Sequence, residues 1–189
     1  MLALCLPSGH APLVLAFAGL PGAGKSRLTE LLAGATRWST LNRDQIRAER
    51  HPGDASDAVR DEADQLLLRR VGSGVRAAMN LIVDGKTFAL SADRALLQEA
   101  VDDAGGELQW CWLDVPVELA IERIRADEGH PAPDRDDALV RAVAARFEPL
   151  DEDAWLLDGR MAPDILLQDL LLRLALRLKA ILIDDHQPS

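Results

Sequence analysis

Apolar residues come in short unbroken blocks rather than alternating with polar ones. Leu13-Val14-Leu15-Ala16-Phe17-Ala18 is apolar at every position, and Leu81-Ile82-Val83 is equally so before Asp84. Strands of this kind belong in a largely parallel sheet covered on both faces. Trp38 to Leu41, Leu108 to Leu113 before Asp114, and Trp155-Leu156-Leu157 before Asp158-Gly159 have strand length as well, which makes five.

Segments with helical spacing separate them. Arg27 to Gly34 reads as a helix that begins near Gly24, and Asn42 can cap another starting near Arg43. Residues 56–78 read as a long helix on a stripe of Val59, Ala63, Leu66, Leu67, Arg70, Val71 and Val75. Ser91 is placed to cap a helix over 92–104 that Gly105-Gly106 ends. Pro116 opens one that runs to about Glu128. Residues 136–147 form a helix before Pro149, and 163–183 form a closing one. In that last helix Asp169, Arg173 and Arg177 are a narrow polar strip, so a wide apolar arc must pack on the sheet or meet a second subunit. Five strands alternating with helices predict a three-layer α/β fold around a parallel sheet. Its ligands are expected at the strands' C-terminal edge, where Asp44, Asp84 and Asp114 would stand. The expected organisation is one domain over 1–189, with a core of about 13–158.

The chain of 189 residues carries 21 Lys and Arg against 31 Asp and Glu, a formal charge of −10. That balance disfavours nucleic acid and anionic membrane as bulk partners. Cys5 and Cys111 stand outside any metal-type spacing, and Cys111 sits in an apolar run as a small core residue. Met1 to Leu20 is apolar but lacks a basic start, and its apolar part runs into the glycine-rich loop described next. The expectation is therefore a cytoplasmic protein without a targeting leader or membrane span.

Gly19-Leu20-Pro21-Gly22-Ala23-Gly24-Lys25-Ser26 fits G-x-x-x-x-G-K-[S/T], directly after the first strand and before the first helix. Gly19, Gly22 and Gly24 let the backbone curl so that N–H groups, including those of Ala23 and Arg27, face an anion. Lys25 can reach the β and γ phosphates of ATP, and Ser26 can set its hydroxyl on Mg²⁺. Phosphoryl transfer also needs a group for the nucleophile and positive charge over the moving phosphoryl. Asp44, just past the second strand, is the candidate that orients or deprotonates an acceptor hydroxyl, and Arg47, one helical turn on, is the candidate for an acceptor anion. Asp84 occupies the Walker B position for Mg²⁺. Lys86, Thr87, Arg94 and Arg135 are candidate acceptor contacts. Arg123 and Arg125, before the Pro-rich loop at 130–134, are candidate lid charges, and Arg146 to Pro149 are a candidate border for the base.

With these residues in hand, the chain resembles the small P-loop kinases of the AAA-type ATP-binding group. That group takes in the kinase domain of polynucleotide 5′-hydroxyl kinases and lies close to gluconate-, adenylylsulfate- and chloramphenicol-phosphorylating enzymes and zeta-toxin-like proteins. The resemblance rests on the loop, on Asp44 and Arg47 as Asp-x-x-Arg, on Asp84 ending a strand, on Arg94 and Arg123, and on Phe147-Glu148-Pro149. It implies a sheet in 2-3-1-4-5 order, Asp44 as general base, and Arg47 on a phosphate of the acceptor. Arg27 stands where relatives have a second hydroxyl residue, and Gly85-Lys86-Thr87 departs from their pattern after the third strand.

The expectation is an ATP- and Mg²⁺-dependent phosphotransferase acting on the hydroxyl of a small molecule or nucleotide-like acceptor. Lys25, Asp44 and Arg123 are its catalytic residues. A polynucleotide or RNA 5′-hydroxyl kinase is the alternative that shares every one of these residues. A non-metabolic ATP-binding regulatory or interaction protein, using the closing helix to form a homodimer or hold a partner, is the other.

Overall fold

The computed structural model describes residues 10–54, 56–127 and 136–184. Its elements are β1 (Leu13–Ala18), α1 (Lys25–Thr36), β2 (Ser39–Asn42), α2 (Arg43–Arg50), α3 (Asp57–Arg76), β3 (Leu81–Asp84), α4 (Ser91–Asp102), β4 (Glu107–Asp114), α5 (Val117–Ala126), α6 (Asp137–Ala145), β5 (Trp155–Asp158) and α7 (Pro163–Asp184). The five strands form one sheet in the order β2-β3-β1-β4-β5, and every pairing is parallel. This is the architecture and the order that sequence and resemblance led one to expect.

All six residues of β1 are buried, because β1 is central and covered on both faces. Leu13, Leu15 and Phe17 face one core with α1, α5 and α7; Val14, Ala16 and Ala18 face another with α3 and α4. α3 buries Val59, Ala63, Leu67, Val71 and Val75, whereas Leu66 is only partly covered and Arg70 reaches Glu49 at 3.7 Å. The two glycines inside α3 do not break it. A Cβ on Gly74 would stand 3.0 Å from Leu81, so this glycine is where β3 comes close to the helix. Cys111 is fully buried in β4, and burial pushes its thiol pKa far up, so it stays a neutral packing group.

Asn42 caps α2, accepting hydrogen bonds from Asp44 N (2.9 Å) and Gln45 N (3.0 Å). α4 is capped differently from the sequence expectation. The Ser91 side chain makes no cap; instead Ser91 N donates to Glu148 Oε2 at 2.6 Å, across 57 residues. A carboxylate at a helix N-terminus is favourable wherever in the chain it comes from.

α7 buries Leu166, Leu170, Leu174 and Leu178 against the sheet, and leaves Ile165, Leu172 and Leu176 exposed. Its polar strip is used: Arg173 pairs with Asp169 at 3.0 Å, and Arg177 reaches Glu107 of β4 at 2.8 Å. Among the described residues no helix is long and apolar enough to cross a membrane.

Two predictions follow from this packing. Leu170→Ala empties a fully buried site and should cost about 2–5 kcal/mol, a fall of several degrees in Tm by calorimetry; a change within about 0.5 kcal/mol would mean that α7 does not hold that face. The Ser91 hydroxyl and N–H hold the Glu148 carboxyl below its ordinary range. Its contribution is therefore present above the ordinary Glu pKa and lost as pH falls through the lowered folded value. The Tm gap between wild type and Glu148→Gln should be open at neutral pH and should close as the pH is taken down through and below the ordinary Glu range; a gap that is flat with pH would refute the charged cap.

Candidate active site

The parallel register carries the polar residues that end the strands to one edge. Asn42 lies opposite Asp84, and Asp114 opposite Asp158. β1 ends between them at Ala18, and the glycine-rich loop rises there.

The loop is shaped by its glycines and by two neighbours. Gly19, Gly22 and Gly24 all have positive φ, at 148°, 79° and 99°. A Cβ on Gly22 would sit 2.3 Å from Ala120 O, so the loop rests directly on α5. Gly19 N donates to Thr87 O at 3.0 Å, tying the loop to the segment after β3. Lys25 is nearly buried and donates from Nζ to Gly19 O and Leu20 O, both at 2.9 Å. Its charge is thereby folded back over the loop's mouth. Lys25 and Ser26 begin α1, whose first-turn N–H groups have no helical partners.

Asp84 is 1% exposed. Its Oδ2 accepts from Asn42 Nδ2 at 3.0 Å and lies 3.3 Å from Thr29 Oγ1, which is also 3.0 Å from Ser26 O. Its Oδ1 is buried with no hydrogen-bond partner. An orphaned carboxylate oxygen costs free energy unless something absent from the bare chain satisfies it. Among the described residues no three His, Cys, Asp or Glu gather as a metal cage. Mg²⁺ does not need one, since it is commonly held by one or two protein ligands together with phosphate oxygens and water.

On the β2–β3 side of the loop a cleft of about 400 Å³ opens between Pro21, α2, α3 and α6. Asp44 lines it, within 3.3 Å of Arg43 Nη1 and 3.8 Å of Arg47 Nη2. Arg47 also lines it, although the residue is only 4% exposed. Asp64 takes Arg43 Nε at 2.8 Å and Lys86 Nζ at 2.6 Å, and Lys86 lies 3.1 Å from Asp93. The lining carries Arg43, Arg47, Arg60, Lys86 and Arg146 against Asp44, Asp57, Asp61, Asp64 and Asp93, so its charges balance.

On the other side a second pocket of about 240 Å³ is lined by Ala23, Gly24, Arg27, Arg123, Gly159 and Met161 among others. Next to it, Arg160 chelates Asp158 and pulls that carboxyl down to about 2.

Several sequence assignments change place. Arg123 is not an arm over Lys25. Its Nη1 donates to Ala23 O at 3.0 Å and its Nη2 to Gly159 O at 2.9 Å, which puts it on the flank of the loop in the smaller pocket. Arg94 does not face an acceptor. Its guanidinium donates to the carbonyls of Phe88, Ala89, Glu148 and Pro149 at 2.8–3.3 Å. It thereby secures Phe88, a bulky residue held at φ 49°. Arg146 lines the larger cleft with Asp44 and Arg47, and Glu148 is the α4 cap. Arg125 pairs with Asp137. Arg135 lies outside the described residues. Asn42, Thr29 and Asp64 went unread in the sequence as site residues. Only the Asn42–Asp84 register and the depth of the cleft bring them in, although Asn42 directly before Arg43-Asp44 was the available signal.

Comparison with known proteins agrees with the fold. The sequence profile of the AAA domain family matches residues 14–150. A shikimate kinase from Corynebacterium glutamicum is 29% identical over 125 residues, 62% of this chain and 68% of that one. Among solved structures, an unliganded sugar kinase from Janibacter sp. HTCC2649 superposes with a TM-score of 0.66 at 23% identity, over 89% of this chain and 98% of that one. A gluconokinase from Sinorhizobium meliloti 1021 gives 0.67 at 19% identity, over 94% and 99%. A loop with its lysine and hydroxyl in place, a buried strand-end carboxylate and a matching profile over most of the chain lead to one conclusion: the chain belongs to the AAA domain family.

Proposed function

We propose that the protein transfers the γ-phosphoryl of ATP to a hydroxyl of a small polar molecule that carries one anionic group. The observation that carries this reading is that Asp44 and the nearly buried Arg47 open into the same cleft beside the phosphate loop. A guanidinium this enclosed, with its nearest paired carboxylate oxygen 3.8 Å away, keeps donors for an anion brought by the acceptor.

The triphosphate lies in the loop, cradled by its N–H groups and the start of α1. The nucleoside then falls in the pocket between Arg123, Gly159 and Met161. Lys25 leaves the carbonyls of Gly19 and Leu20 to neutralise charge at the β and γ phosphates. The acceptor enters the larger cleft with its anion on Arg47 and its hydroxyl on Asp44. The hydroxyl oxygen forms the new bond to the γ phosphorus, Asp44 takes the hydroxyl proton, and the β–γ bridging oxygen departs with ADP. Mg²⁺, when bound, would draw negative charge from the β and γ oxygens. Ser26 Oγ and Asp84 Oδ1 are the residues that fit it, and the orphaned oxygen is the supporting observation.

A small acceptor is favoured over a polynucleotide. The cleft's five cations are matched by five carboxylates, so it offers no net positive track for a chain of phosphates.

The test is transfer of label from γ-labelled ATP to pooled sugars and sugar acids, other small alcohols, nucleosides and a 5′-hydroxyl oligonucleotide. Label should appear in a small-molecule pool; label in the oligonucleotide alone would overturn the small-acceptor reading. Lys25→Ala should lower turnover by about 10²–10³-fold, and unchanged turnover would discard the loop as the site. Asp44→Asn should leave the Kd for ATP within about threefold while slowing transfer by about 10²–10⁴-fold. Parallel loss of binding and transfer would make Asp44 a structural residue.

A further inference from the structure

We infer that Asn42 is a positioning residue that ties the metal carboxylate to the acceptor-side helix, so that both halves of the site share one rigid link. This rests on the functional reading of Asp84 and Asp44 given above.

Asn42 ends β2 directly opposite Asp84 in the parallel register. One planar amide then serves two elements. Its Oδ1 accepts from the backbone N–H groups of Asp44 and Gln45, at 2.9 and 3.0 Å, which fixes the start of α2 and with it Asp44. Its Nδ2 donates to Asp84 Oδ2 at 3.0 Å. The orientation of the amide is dictated by its neighbours. Turned over, it would point oxygen at a carboxylate oxygen and NH₂ at two N–H groups.

The consequence falls on Asp84. With Oδ2 held by Asn42 and close to Thr29, the oxygen left without a partner is Oδ1. The carboxylate cannot swing, because turning it would break the Asn42 bond in a buried place. Partners of this kind orient a metal-binding carboxylate and commonly change metal affinity or activity by about 10–100-fold when removed.

Gly85 makes the junction close enough. It has φ +83°, and a Cβ there would fall 2.5 Å from Asn42 Oδ1, 2.5 Å from Arg43 N and 2.7 Å from Asp44 N. The start of α2 therefore sits on bare backbone just beyond the carboxylate. No other side chain reproduces the link. Asp and Ser cap a helix as well as Asn does, but Asp has no donor and Ser is too short to reach both partners. Gln carries the amide one carbon further out.

The experiment separates capping from tying. Binding of a non-hydrolysable ATP analogue is measured by calorimetry with Mg²⁺ and with chelator, on wild type, Asn42→Ser and Asn42→Ala, and Tm is recorded for each. Asn42→Ser keeps a cap oxygen, but its short hydroxyl cannot cap α2 and also reach Asp84; Asn42→Ala loses both contacts. Wild type should bind the analogue more tightly with Mg²⁺. Both variants should lose about 10–100-fold of that tightening, while affinity in chelator stays within about threefold and Asn42→Ala, which loses the cap as well, falls further in Tm than Asn42→Ser. Asn42→Ser that keeps the wild-type tightening would overturn the inference, leaving Asn42 a cap alone. Equal loss of affinity with and without Mg²⁺ would overturn it too, as general distortion of the loop. Wild type that shows no Mg²⁺-dependent tightening would overturn the reading of Asp84 itself, and the inference with it.

Discussion

β1 has nowhere to go but through the middle of the sheet. Its six residues are buried, on both faces by helices and on both edges by β3 and β4. That enclosure fixes where Ala18 ends, and the next residues must leave the sheet at its C-terminal edge. A phosphate loop on a mobile end could not hold backbone N–H groups against an anion. Here the loop starts from the fully buried end of the central strand, rests on α5 through Gly22, and is tied to the segment after β3 through Gly19. The two pockets on either side of the loop exist because β1 is central: two strands lie beyond it on one side and two on the other.

Electrostatics inside the larger cleft are handled by pairing. Asp64 holds Arg43 and Lys86 at once, and Asp93 also lies beside Lys86. These pairs line a balanced cavity in a chain whose total charge is −10. A polar ligand in this cleft would meet fixed hydrogen-bonding groups without a strong net field, and Arg47 is the least exposed of its charged residues. Specificity in such a site comes from the placement of donors and acceptors more than from attraction at long range.

Arginines illustrate how far residue type can be read. As a class they were visible, and each was a sensible candidate for a phosphate or an anion. Yet Arg94 spends its donors on four carbonyls, Arg123 on two, and Arg125 and Arg160 on neighbouring carboxylates. A guanidinium has five donors and satisfies whichever acceptors surround it. Spacing along the chain does not show whether those acceptors are ligand oxygens or the chain's own turns. The carbonyls of Phe88 and Pro149 meet at Arg94 only after the sheet and α6 are in place.

The sequence by itself determined the layered α/β fold, the strand–loop–helix at residues 13–36, and the strand-end acid Asp84. Unbroken apolar blocks, glycine spacing and a single lysine at the right place are local facts, and local facts survive in a one-dimensional string. Asp44 and Arg47 were legible for the same reason, being one turn apart on one helix. Tertiary structure alone decided which carboxylate oxygen is left open, which arginine faces a cavity, and that Glu148 rather than Ser91 caps α4. Those outcomes depend on contacts between residues 42 and 84, 91 and 148, or 94 and 149, whose separation in sequence carries no trace of their distance in space. Parallel register and helix packing set that distance, and both are properties of the assembled sheet.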